Sequence, residues 1–374
     1  MPSKLDNKID TITDVLSHLI GFPTITADHN TNLAALDWVE AQIDQLPLEV
    51  QRFENNGFPA LVATTSKTLA PKLWLVAHID VVTASPQAFR AKTENGRLYG
   101  RGAHDMKFAL AIFIVLLQEL EVLLEGYDLG LMITSDEEMG GFSGVKWLID
   151  EHNYRGGAAL IPDSGGSWEM EAGAKGIMWW ELAAKGRQTH ASRTWDGVNA
   201  IDEMVRFVDS VRSHVPAEPC ADPTHQHSTV NFSSLVSGSA TNQVPGSATA
   251  RLDIRFTPDT DMSTIEGWMA EAHALVPSVT AKVQLADLPY KIKNQGPVSL
   301  FQDVVQEVTG HGVTFSTAHG SSDARHFARH HIPTINVCPT GSGFHVPNEW
   351  VDVEDLGNFY EVTRRFVETW ARKD

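Results

Sequence analysis

Seven side chains spread over 374 positions are of the types that gather divalent cations: His78, Asp80, Asp105, Glu137, Glu138, Asp163 and His345. His78 and Asp80 stand at i and i+2 in VAHID, so an extended backbone points both to one side of the pleat. A neutral imidazole there can ligate zinc while the carboxylate accepts its other N–H and fixes the ring. Asp105 follows two glycines in YGRGAHDMK, a tight loop ahead of an apolar run, and a helix N-terminus at that point favours an anion. Asp136, Glu137 and Glu138 are consecutive acids, whose mutual repulsion calls for solvent or cations between them. Asp163 lies in IPDSGG and His345 in the Gly-rich segment GSGFHVPNEW. Paired ions would suit hydrolysis of an unactivated amide, which needs a strong nucleophile and a stabilised oxyanion.

The elements that must position these residues alternate. Helical spacing over 8–20 and 33–46 is stopped by Gly21, Pro23 and Pro47. Short β-rich runs follow, ending in KLWLVAHID, and a helix is expected from about Met106 to Leu124. LGLMITSDEE reads as a strand entering the acids, then a helix near Gly144–His152 and a strand near Ala158–Ile161. That rhythm predicts an α/β fold, a mixed and mostly parallel sheet covered by helices on both faces. Ligands of such sheets collect beyond the carboxyl ends of the strands, where His78, Glu137 and Asp163 fall. From about Ile177 the order becomes β-α-β-β-α-β, the split pattern of a ferredoxin-like sandwich. The expected division is a catalytic domain over 1–177 and 292–374, with an inserted lid over 178–291.

Bulk properties exclude several classes. The chain is 42% apolar and 20% charged, with a formal net charge of -18. No basic face is available for nucleic acid or an anionic membrane surface. Two distant cysteines, Cys220 and Cys338, make neither a disulfide framework nor a thiolate zinc site. The longest apolar run, Ala109 to Leu117, is too short to span a bilayer, and MPSKLDNKID lacks a signal pattern. A cytoplasmic location is expected. Histidines 326, 330 and 331 in RHFARHH offer an i, i+4 metal pair, but a solvated helical face is the preferred reading.

Taken together, VAHIDVV, YGRGAHDMK, TSDEEMGG, IPDSGG, GSSDARHF and GFHVPNEW resemble one family of zinc-dependent peptidases. It contains aminoacylase-1, acetylornithine deacetylase, succinyl-diaminopimelate desuccinylase, carboxypeptidase G and several dipeptidases, and the resemblance covers nearly the whole chain. It implies two divalent ions, zinc foremost, with cobalt or manganese as substitutes. Asp105 would bridge them, His78 and Asp163 completing one site, Glu138 and His345 the other. Asp80 would orient His78, and Glu137 would take a proton from the water between the ions. A cis peptide at Asp105–Met106, an inserted ferredoxin-like lid and a homodimer through that lid are also implied.

In the lid, His190 matches a histidine the family uses on the oxyanion, often from the partner subunit, and Asn242 resembles its polar residue near substrate. Arg255 in LDIRF could clamp a substrate carboxylate, or pair with a surface acid. Arg325, with Ser321 and Ser322 in GSSDARHF, is a second carboxylate-recognition candidate. Two departures stand out. Phe108 and Ala109 replace glycines common after DMK, and Asp163 stands where deacetylases and desuccinylases usually carry glutamate. The latter resembles the dipeptidase and aminoacylase branches. The expected activity is hydrolysis of the linear amide of an N-acyl amino acid or small peptide, with a dipeptidase or aminopeptidase as the nearest alternative. A catalytically silent binding relative would be signalled by loss of a ligand or of Glu137, and all are present.

Overall fold

A computed structural model describes residues 4–164, 166–216, 227–294, 296–318, 320 and 322–373. They form two units, Met1–Ala172 with Ile292–Asp374, and Gly173–Lys291.

The first unit is built on a six-stranded sheet. Its order runs Glu49–Asn55, Phe58–Thr64, Leu129–Thr134, Leu73–His78, Ala159–Leu160, Thr334–Ile335. The first three pair antiparallel and the rest parallel, which is the mixed α/β sheet the alternation predicted. LWLVAH and LGLMIT are buried along their whole length, as strands covered on both faces must be. Their parallel register sets His78 opposite Thr134. The residues that follow each strand therefore emerge at one edge of the sheet, and this is what brings a histidine at 78 to acids at 136–138.

The helix Lys107–Glu119 is apolar all round and buried from Lys107 to Leu117, the environment of a core helix rather than a surface one. It ends five residues earlier than its composition predicts. The chain tightens into a 3-10 turn over Glu121–Gly126, and Val122 and Leu123 lie exposed, with no face to bury. The turn returns the chain to the sheet, where the Asp128 amide donates to the Ala371 carbonyl at 2.8 Å. The amphipathic helix Val353–Trp370 is capped by Asp352, whose side chain accepts from the Asp355 amide, and buries Leu356, Phe359, Val362 and Phe366. Among the described residues no helix is long and apolar enough to cross a membrane.

Close approach fixes the two central strands. A methyl group added at Gly130 would lie 2.2 Å from the Trp74 ring across the strand pair. Gly130→Ala is therefore expected to destabilise the protein by about 1–3 kcal/mol, as overpacked cores do. Urea denaturation would report this as a lower midpoint at unchanged slope.

The second unit is a four-stranded antiparallel sheet in the order Thr229–Ser237, Ser247–Phe256, Gly176–Lys185, Val279–Asp287. In Gly176–Lys185, burial alternates from Met178 onward, and the buried face packs against the helices Ala200–Arg212 and Met262–Leu275. Chain order and strand order are those of a ferredoxin-like sandwich.

Candidate metal centre

His78 ends its strand, and its Nδ1 lies 3.0 Å from the Asp80 carbonyl oxygen and 3.4 Å from Asp80 Oδ1. The backbone carbonyl is thus the nearer acceptor for the ring N–H. The Asp80 carboxylate, wholly buried, serves the neighbouring turn as well: Oδ1 accepts from the Glu137 amide and Oδ2 from the Glu138 amide, both at 3.3 Å. Oδ2 also accepts from Thr26 Oγ1 at 2.9 Å. One carboxylate therefore ties the histidine strand to the acidic turn. The Asp105–Met106 peptide is cis, and Asp105 stands two residues ahead of the buried helix.

Two trios form around Asp105. His78, Asp105 and Asp163 make one, and Asp105, Glu138 and His345 the other, each with its ligand atoms within 4.8 Å of one another. Asp105 Oδ1 is 3.2 Å from His78 Nε2, while Oδ2 is 3.1 Å from His345 Nε2. His345 Nε2 also lies 2.9 Å from Glu138 Oε2, and His78 Nε2 lies 3.9 Å from Asp163 Oδ1. Glu137 belongs to neither trio; its Oε2 is 4.0 Å from His78 Nε2.

The electrostatics register the crowding of acids. Burial, then the facing Asp163 charge, hold the Glu137 carboxyl well above its ordinary range. Burial pushes Asp163 up to about 6. Burial alone would depress the His78 imidazolium, but the facing carboxylates of Asp105, Asp163 and Asp80 raise it well above its usual value. Hydrogen bonds to Asp105 and Glu138 raise His345 to about 10. His78 Nε2 is buried without a hydrogen-bond partner, and buried carboxylates of one sign surround it. A bound divalent cation would answer both facts. Imidazole nitrogens with carboxylate oxygens are a donor set that zinc takes, and that cobalt or manganese can share.

A cleft of about 420 Å³ opens on these groups, lined by Asp105, Glu137, Asp163 and His345 together with Glu169 and Glu171. Neither of the last two is singled out by any sequence motif. Their i, i+2 spacing in WEMEAG, on the strand Glu169–Ala174, is the one signal that sets them on the same face. Ser322 also lines the cleft, its Oγ accepting from Asn336 Nδ2 at 3.0 Å. Arg325 does not line it. Its guanidinium donates to the Gly140 carbonyl and lies 5.2 Å from the Phe142 ring centroid. Ser321 lies outside the described residues. His326 corrects the expectation of a solvated face: it is buried, its Nε2 3.0 Å from the Gly140 carbonyl. The helix there spans only Ala324–Ala328, so the i, i+4 pattern has no helix to run on, and His330 pairs instead with Asp150 at 2.7 Å.

In the second unit His190 is exposed, with its Nδ1 2.8 Å from Ser192 Oγ. The pairing of His190 with Gln243, and the Ala191 amide donating to the Asn242 carbonyl at 2.9 Å, bring His190 and Asn242 side by side. Arg255 stands near the far end of the following strand, paired through both Nε and Nη2 with Asp253.

Histidines and carboxylates gathered beyond the carboxyl ends of parallel strands, beside an acidic cleft, are the equipment of a metal-dependent hydrolase. Residues 74–369 match the model of peptidase family M20/M25/M40, and the chain belongs to that family. It is a hydrolase acting on amide bonds, and the family implies use of a divalent metal. Among curated relatives it is similar to a succinyl-diaminopimelate desuccinylase of Magnetococcus marinus, 30% identical over 76% of this chain and 78% of the relative. One from Burkholderia ambifaria is 29% identical over 73% and 75%. Among solved structures, a tripeptidase from Staphylococcus aureus superposes with a TM-score of 0.78 at 19% identity, covering 96% of this chain and 99% of that one. A metallo-carboxypeptidase from Sulfolobus solfataricus gives 0.76 at 15% identity, covering 98% and 99%. At such identities the structural likeness speaks to the fold.

Proposed function

We propose that this chain is a two-metal hydrolase that cleaves the amide of an N-acyl amino acid or small peptide and releases a free amino acid. The observation that carries this reading is the split orientation of Asp105, one oxygen turned to each trio. His78, Asp105 and Asp163 would hold one ion, Asp105, Glu138 and His345 the other, with zinc the resident metal. Such ions, when bound, polarise a carbonyl and lower the pKa of water toward ~7. Glu137, left outside both trios, takes a proton from the attacking water and passes it to the leaving amine. Asp80 keeps the His78 ring and the Glu137–Glu138 turn in register. Ser322 contacts substrate from the cleft wall, and Arg325 holds the Gly140 carbonyl at the end of the Glu137–Met139 turn.

From the family resemblance, His190 steadies the oxyanion with Asn242 beside it, and Arg255 binds substrate, in a cytoplasmic homodimer formed through the lid. Removing one oxyanion donor typically costs about 10²–10³-fold in kcat. His190→Ala is expected to lose activity on that scale, with sedimentation reporting an unchanged dimer. Unaltered turnover would take His190 out of the site.

One observation favours a second reading, a peptidase acting at a free amino terminus. Glu169 and Glu171 add carboxylates to the cleft beyond those of the trios, and a substrate ammonium wants such partners. A matched panel of N-acetyl, N-succinyl and N-aminoacyl substrates, run with and without chelator, separates the two. Chelator-sensitive hydrolysis of acylated substrates supports the first reading, and a requirement for a free amine supports the second. Failure of the metal-loaded protein to cleave any small amide would sink both.

A further inference from the structure

Glu349 lies four residues beyond His345 in the same loop and is 2% exposed. Its carboxylate is saturated by donors from one other segment. Oε1 accepts from the backbone amides of His104 at 2.8 Å and Asp105 at 2.9 Å. Oε2 accepts from the Gly102 amide at 2.9 Å and from Arg101 Nη1 at 2.7 Å. The same two segments are joined again by the Gly100 amide donating to the Glu349 carbonyl at 3.0 Å and by Arg101 Nη2 donating to the Val346 carbonyl at 3.2 Å. Gly343 lets the second segment fold this tightly, since a Cβ there would meet the Glu349 Cα at 2.6 Å.

Three consecutive-turn amides converging on one anion require a particular backbone path, and Gly102 at φ +85 supplies it. The path ends at Asp105, whose own amide is one of the donors. Charge-assisted bonds of this kind are short and roughly twice as strong as neutral ones. They join the segment bearing Asp105 to the segment bearing His345. We propose that Glu349 is a positioning residue for the metal centre: it clamps the 101–105 loop to the His345 loop and so sets the Asp105 carboxylate between the two histidines.

This rests on the metal-binding reading of the two trios, and the test separates the two claims. A glutamine at 349 keeps the volume but points an NH₂ group at backbone donors, so one pair of bonds is lost. Metal-free wild type and Glu349→Gln would be titrated with zinc against a chromophoric chelator. Loss of supporting partners around metal ligands costs about 10–100-fold in affinity, and a loss on that scale is expected. Hydrogen exchange of metal-free protein should show the amides of Gly102, His104 and Asp105 losing protection while those of the sheet keep theirs. Should the glutamine variant not fold, Glu349→Asp retains the charge, draws the carboxylate back by one methylene, and is expected to show the same loss of zinc affinity. A purely structural buried ion pair predicts something else: a lower melting temperature with zinc affinity of the folded protein unchanged. That result, in either variant, overturns the proposal while leaving the metal reading standing. Wild-type protein that takes up no zinc overturns the metal reading and this proposal with it.

Discussion

Replacing Glu137 by glutamine is expected to lower kcat by about 10²–10⁴-fold, the range a positioned general acid–base supplies, with metal content unchanged. Glu137 is the acid of the cleft that approaches His78 without entering either trio, so its removal takes away no ligand atom. Its backbone amide, which donates to Asp80, survives the substitution and keeps the turn in place. Glutamine also removes a charge that burial and Asp163 make unfavourable. The metal-free variant should therefore melt no lower than wild type, and higher if the repulsion dominates, the trade between stability and activity common at catalytic sites. Near-normal turnover with metals bound would remove Glu137 from the proton-transfer role. A collapse of metal content would instead make it a ligand.

Three residues of the two trios were legible because each follows a short apolar run, and parallel strands deliver whatever follows them to one edge. His78, Glu138 and Asp163 come from three such ends, and their convergence needs no side-chain detail beyond the register. His345 and Asp105 sit in glycine-rich loops and were visible through motif alone. What stayed hidden depends on which loops meet. Glu349 accepts from amides about 245 positions earlier, a contact that no local period encodes. Glu169 and Glu171 belong to no motif, and only the cleft that opens beside them sets them apart. Of the two readings of Arg255, a clamp for a substrate carboxylate or a partner for an acid, the second is met by Asp253, which the i, i+2 spacing sets on the same face. The early end of the helix at Glu119 was likewise set by the sheet it must rejoin rather than by propensity.

Asp105→Ala is expected to abolish measurable activity and to strip metal from both trios at once. Each other ligand serves one trio, so Asp163→Ala should leave Glu138, His345 and Asp105 able to retain an ion, whereas no intact trio survives the loss of Asp105. Metal analysis after gel filtration, comparing the two variants, reads this difference directly. A second signature follows from His345. In the metal-free protein its hydrogen bonds to Asp105 and Glu138 raise it to about 10, so at neutral pH the ring carries a proton that must leave before nitrogen can ligate. Zinc binding should therefore release protons, and affinity should rise with pH from 6 to 9 by about tenfold per unit for each proton displaced. Calorimetry in buffers of different ionisation heat counts those protons. The largest cause of the His345 shift is its bond to Asp105, so in Asp105→Ala the ring should titrate lower, a change that histidine ring resonances would follow without any metal present. Zinc uptake independent of pH over that range would contradict ligation by His345, whatever the activity.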